Sequence, residues 1–222
     1  MLRAGSILCS LAFVGCTSFV DVRSAEVHPG FQRDVGVTAS TPPGDITSWF
    51  WSFECVDECE HSIVSPALAL RYGFVSERGG RPYELGAGFS GMYPYATGYV
   101  QLTRAPGAFG VGARIGIPSS WQENALFARY DLTSGSTRVV FSPHFLLHYG
   151  GSPNGFNKGY FVAFAPALGV QMFADGGSPI TASLIPVFGR SGRWRGVFAG
   201  TREYETTVFL VAGLSVTFQR ER

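Results

Sequence analysis

Charge is what this sequence is shortest of. Asp, Glu, Lys and Arg make up 15% of its 222 residues, against about a quarter in an ordinary soluble domain. Long hydrophobic runs are missing as well. No stretch approaches the roughly 18 apolar residues of a spanning helix, which excludes a helical membrane protein, although 45% of the chain is hydrophobic. The formal net charge is +1, and without a basic block or recognition motif it gives nucleic acid nothing to hold. Cysteine is scarce, with 4 in the chain. The nearest approach to a metal site is Cys55, Cys59 and His61, whose CxxxC spacing is not the usual one for zinc and lacks a second pair. Nothing in the sequence calls for a cofactor.

Glycine and aromatic residues are abundant: 29 Gly, 19 Phe and 9 Tyr. They are distributed by twos. In the charge-free run from Thr207 to Gln219, Val208, Leu210, Ala212, Leu214, Val216 and Phe218 share one parity, and Gly213, Ser215, Thr217 and Gln219 share the other with Phe209 and Val211. Strict alternation with β-branched residues is a strand with one apolar face, and a helix of the same residues would scatter them around its circumference. The run exceeds the roughly 9 to 11 residues that a tilted strand needs to cross a hydrocarbon layer.

The same pattern predicts strands over 66–75, 83–91, 95–103, 108–117, 125–132, 137–149, 160–173 and 180–189, with a short one around 194–199. The strand at 95–103 alternates least cleanly. Opposite the large apolar residues stand Gly, Ala and Ser with a few charges: Arg71, Glu84, Arg114, Arg129, Asp131 and Arg138, together with His144 and His148. A soluble barrel needs bulk inside and abundant charge outside. The sparse second face here instead fits a narrow lumen in which the arginines neutralise Glu84 and Asp131. The expected fold is an all-β, antiparallel up-and-down barrel of eight to ten strands, of transmembrane type, over 62–222. Prolines at 66, 94, 143, 166 and 186 oppose this reading, because each removes a ladder N–H that lipid cannot replace.

Two resemblances sharpen the address. Leu11-Ala-Phe-Val-Gly-Cys16, behind Arg3 and the apolar stretch from Ile7 to Val14, resembles a bacterial lipoprotein signal. That resemblance implies removal of 1–15, diacylglyceryl on Cys16 and sorting to the outer membrane, since Thr17 is not the Asp that marks inner-membrane retention. Pro66-Ala-Leu-Ala-Leu and Pro166-Ala-Leu-Gly-Val resemble strand openings in small Gram-negative outer-membrane barrels, a likeness covering roughly 62–219 that names a superfamily and no activity. The chain departs from that pattern at its end, where Gln219-Arg-Glu-Arg222 replaces a terminal aromatic. Residues 16–45 lack a period and end in Thr41-Pro-Pro-Gly-Asp45, which reads as a tether. An aromatic segment, 46–61, follows. In an oxidising envelope its Cys55 and Cys59 are expected to pair and close a small loop.

The leading expectation for function is a non-enzymatic, plugged, lipid-anchored barrel with a structural or surface-interaction role. Its one expected partner is outer-membrane lipid. A lipid-modifying barrel enzyme, of the lipid A deacylase or acyltransferase kind, needs a serine, a histidine and an acid. Ser142 and His144 share a face, but strand spacing sets them about 7 Å apart, and His61 and Ser62 fall on opposite faces. A third reading, a periplasmic lipocalin-like carrier of an apolar ligand, requires the large residues to line a cavity.

Overall fold

The computed structural model describes residues 22–40, 63–76, 79–90, 93–104, 107–117, 121–133, 135–151, 157–173, 178–195 and 202–219. Cys16, Cys55, Cys59 and His61 lie outside them, and with them the expected lipid attachment, disulfide and aromatic segment. Ten strands form: β1 Gly30–Ser40, β2 Ile63–Phe74, β3 Tyr83–Ser90, β4 Tyr93–Thr103, β5 Phe109–Gly116, β6 Trp121–Asp131, β7 Thr137–Gly151, β8 Asn157–Met172, β9 Ile180–Arg195 and β10 Arg202–Gln219. Each pairs antiparallel with its sequence neighbours, and β1 pairs with β10 to close the barrel.

The outer wall is apolar. Leu126 is 65% exposed, Phe145 63% and Leu214 50%, and exposed Leu, Val, Ile and Phe recur on all ten strands. The opposite parity is buried and includes Arg71, Glu84, Arg114, Arg129, Asp131 and Thr217. Apolar outside and polar inside is the arrangement of a barrel made to stand in lipid. A lipocalin-like barrel requires the reverse.

The strand reading needs correcting in three places. The stretch expected to be a tether holds β1, with Gln32, Asp34 and Thr38 buried and Phe31, Val35 and Val37 exposed. Exposed Arg33, lying over the Phe31 ring at 5.6 Å, interrupts its apolar parity and disguises it. The short strand expected around 194–199 is in part the far end of β9, whose glycines and serine at 189–192 pair on both sides. Finally, the lumen is not filled by small residues alone, since Tyr95, Tyr99, Phe127, Ile185 and Phe209 are buried.

Three of the five prolines explain irregularities in the ladder. Pro66 and Pro94 lie where their β2–β3 and β4–β5 ladders begin, where a missing donor costs little. Pro143 falls opposite Ala128, and the β6–β7 ladder skips from Phe127↔His144 to Tyr130↔Phe141. Pro166 falls opposite Pro186, and the β8–β9 ladder skips from Phe164↔Phe188 to Leu168↔Leu184. In an antiparallel ladder alternate pairs exchange both bonds, so one proline removes one bond and a facing pair removes two.

Candidate functional site

The lumen is the site, and the chain supplies its own occupant. Residues Val22 to Pro29 precede β1, and Val22, Arg23, Ser24, Ala25 and Val27 are buried. The segment enters the wall at Gly30, whose φ of +91° is a conformation that glycine adopts without steric cost.

The wall holds this segment by its backbone and by its side chains. Asp131 accepts the Ala25 amide through Oδ1 at 2.7 Å and the Ser24 hydroxyl through Oδ2 at 2.7 Å. Gln171 Oε1 accepts the Ser24 amide at 3.2 Å, and Gln101 Oε1 accepts the Val27 amide at 2.9 Å. Tyr99 donates its hydroxyl to the Ala25 carbonyl at 2.9 Å. A non-helical backbone at membrane depth must find partners within the protein, and these side chains provide them.

Side chains of the segment are held as well, Arg23 by the most partners. Arg23 donates to Asp34 Oδ2 at 2.7 Å and to Glu84 Oε1 at 2.9 Å. Arg71 bridges the same two carboxylates from the wall, through Nη2 to Asp34 Oδ1 and Nη1 to Glu84 Oε2, both at 2.6 Å, and also through Nε to Asp34. The four groups close a ring of buried, charge-assisted bonds. Thr217 donates to Asp34 Oδ1 at 2.6 Å, and Arg129 Nη1 stands 3.6 Å from Glu84. Arg138 donates to Glu26 and to Ser24 Oγ, and its Nη1 is 3.6 Å from Asp131. At the entry to β1, burial holds the His28 imidazole below its ordinary pKa, against the pull of Glu26.

Aromatic faces take up other arginines. Arg114 lies over Tyr95 at 4.3 Å, and Arg129 over Tyr99 at 4.3 Å and Phe127 at 5.0 Å. The register puts Tyr99, Gly112, Phe127 and His144 in one row across β4 to β7. Tyr99 and Phe127 stack at 6.2 Å, and Phe127 and His144 at 5.5 Å. A Cβ on Gly112 would come within 2.7 Å of the Gly98 carbonyl and of Phe127. The bare position between the two rings is therefore a steric requirement.

Ser142 and His144 are closer than strand spacing implies. Their side chains lean together, with His144 Nε2 3.1 Å from Ser142 Oγ. The serine hydroxyl also donates to the Ala128 carbonyl at 2.8 Å, the carbonyl that Pro143 leaves without a ladder donor. A hydroxyl has one proton. With that proton on Ala128, Nε2 is the donor toward Oγ and is not free to act as a base. Both residues are buried, Ser142 completely, and the pair repairs the wall.

Of the residues singled out by parity, Arg71, Glu84, Arg114, Arg129, Asp131, Arg138 and His144 line the lumen, and Arg71 and Glu84 join the ring around Arg23. The side chain of His148 lies outside the described residues. Sequence reasoning missed Arg23, Ser24, Glu26 and Asp34, because alternation is a signal of the wall and the occupant has none. The inward parity of Gln32, Asp34 and Thr38 was the available clue. No group of three or more metal-ligating side chains occurs among the described residues.

No protein-family model matches the chain, and no curated protein matches it. Among solved structures it is similar to an outer membrane channel from Pseudomonas putida F1, with 11% identity, a TM-score of 0.46 and coverage of 91% of this chain and 100% of that one. It is also similar to the outer membrane protein Omp33 of Acinetobacter baumannii, with 10% identity, a TM-score of 0.33 and coverage of 89% and 100%.

Proposed function

We propose that this chain is a non-enzymatic barrel of the Gram-negative outer membrane, sealed by its own leading segment, with a structural or surface-interaction role. The observation that carries the reading is the set of wall side chains spent on the amides of Ser24, Ala25 and Val27. A lumen evolved to pass water or solutes has no use for acceptors placed to hold a peptide backbone. The apolar outer wall and the lack of an edge strand support a place within the bilayer.

In this reading Cys16 carries lipid, which the Leu11 to Cys16 motif supports. Val22 packs beside Gly169, near the end of β8. The six residue-to-residue steps from Cys16 to Val22 span at most about 22 Å when extended, enough to bring an acylated end to the rim. Metabolic labelling with an alkyne fatty acid is expected to mark the wild type and not Cys16→Ser. Both forms are expected to need detergent for extraction.

The test of the sealed state is conductance after reconstitution into a planar bilayer. The wild type is expected to stay at the background of protein-free membranes. Sustained conductance well above that background would overturn the reading in favour of a pore.

A further inference from the structure

Among the described residues the β8–β9 seam differs from every other seam in the wall. Three residues on each strand drop out of the ladder, Ala165 to Ala167 and Ile185 to Val187, because the two residues that should exchange bonds are Pro166 and Pro186. At the β6–β7 gap the orphaned carbonyl is satisfied by Ser142. At the β8–β9 gap the lumen-facing neighbours are Ala165, Ala167, Ile185 and Val187, none of which has a hydrogen-bonding side chain. Among the described residues this is the longest interruption between paired residues of two strands.

What lies behind the gap is equally distinct. Ala165, Ala167, Ile185 and Val187 belong to a buried apolar cluster with Val211 and Val22, in a barrel whose lumen is elsewhere lined by arginines, carboxylates and aromatic rings. On the outside the gap is flanked by exposed Phe164, Leu168, Leu184 and Phe188. Apolar side chains therefore stand on both faces of this interrupted seam, toward lipid and toward the lumen. The leading segment contributes one residue to that sector, Val22, which is 1% exposed.

We propose that the paired-proline gap is a side entrance, through which the acyl chain of a membrane lipid reaches the apolar sector of the lumen and takes the place of Val22. The occupant is an acyl chain because the gap faces hydrocarbon, is flanked by no charged group and is walled by alanines on one strand. This rests on the placement of the barrel in a bilayer. Entry couples to the plug, since Val22 adjoins Arg23 and its charged ring.

The test uses the full chain reconstituted in phospholipid vesicles doped with a phospholipid that carries a photoreactive diazirine midway along one acyl chain. Adducts are mapped by mass spectrometry. In the wild type they are expected on lumen-side Ala165, Ala167 or Val187 as well as on outward Leu168 and Leu184. Pro166→Ala with Pro186→Ala gives the seam back two ladder bonds and is expected to lower the lumen adducts about tenfold, with the outward ones unchanged. Ala167→Phe, which fills the sector, is expected to do the same without altering the seam. Outward adducts alone in the wild type, or lumen adducts indifferent to both variants, would overturn the entrance. Absence of outward adducts would instead overturn the bilayer placement.

Discussion

Pro143 removes the amide that would satisfy the Ala128 carbonyl, and the hydroxyl one residue before it supplies the substitute at 2.8 Å. Ser142→Ala is expected to cost about 2 kcal/mol, the penalty for a buried acceptor left alone. Ser142→Ala combined with Pro143→Ala restores the ladder donor and is expected to recover most of that loss. Urea unfolding in lipid vesicles, arranged as a double-mutant cycle, measures the coupling. Additive losses would mean that the two residues serve unrelated ends. Arg23 invites a second test: Arg23→Ala leaves Asp34 and Glu84 sharing Arg71, with Arg129 Nη1 3.6 Å away. A cost of about 3 kcal/mol is expected for breaking so buried a network, and an unchanged midpoint would show that the ring contributes nothing to holding the segment. The inward parity of Arg71 and Glu84 was legible in the sequence. Their shared partner was not, because it arrives from outside the alternating pattern. The contact between Ser142 and His144 was also hidden, since strand spacing fixes backbone separation and leaves the lean of the side chains open.

Among the elements, strands with an unbroken outward parity were the easiest to read. β10 is the clearest, with Leu214 and Phe218 exposed and Val211, Ser215 and Thr217 buried. β4 alternates poorly because its large aromatics, Tyr95 and Tyr99, face the lumen and its outward residues include Ala96 and Gly98. β1 was lost to Arg33, an outward charge that its neighbour Phe31 accommodates. The leading segment has no period at all, and only the wall that receives it gives it a shape. Its junction with β1 offers a test. Gly30 has open space around a would-be Cβ but a positive φ, so Gly30→Ala is expected to cost about 1–2 kcal/mol through backbone strain alone. The loss is read from the temperature at which the folded band converts to the unfolded one on a gel. A conversion temperature equal to that of the wild type would mean that the junction relaxes freely.

For the whole molecule, class and sidedness follow from one regularity, bulk outside and small or charged residues inside, repeated from strand to strand. Closure did not follow from it. The ring is completed by β1 meeting both β2 and β10, so the stretch that looked most like a linker closes the barrel and leaves no exposed edge. The most direct measurement of this arrangement is the collision accessibility of nitroxide labels placed singly at Leu126, Phe145 and Leu214, with the native cysteines changed to serine and the protein in lipid vesicles. Labels at these three sites are predicted to meet molecular oxygen, which concentrates in hydrocarbon, and to be shielded from a water-soluble nickel chelate. Free access of the chelate to all three would contradict the account, because it would put the apolar wall in water.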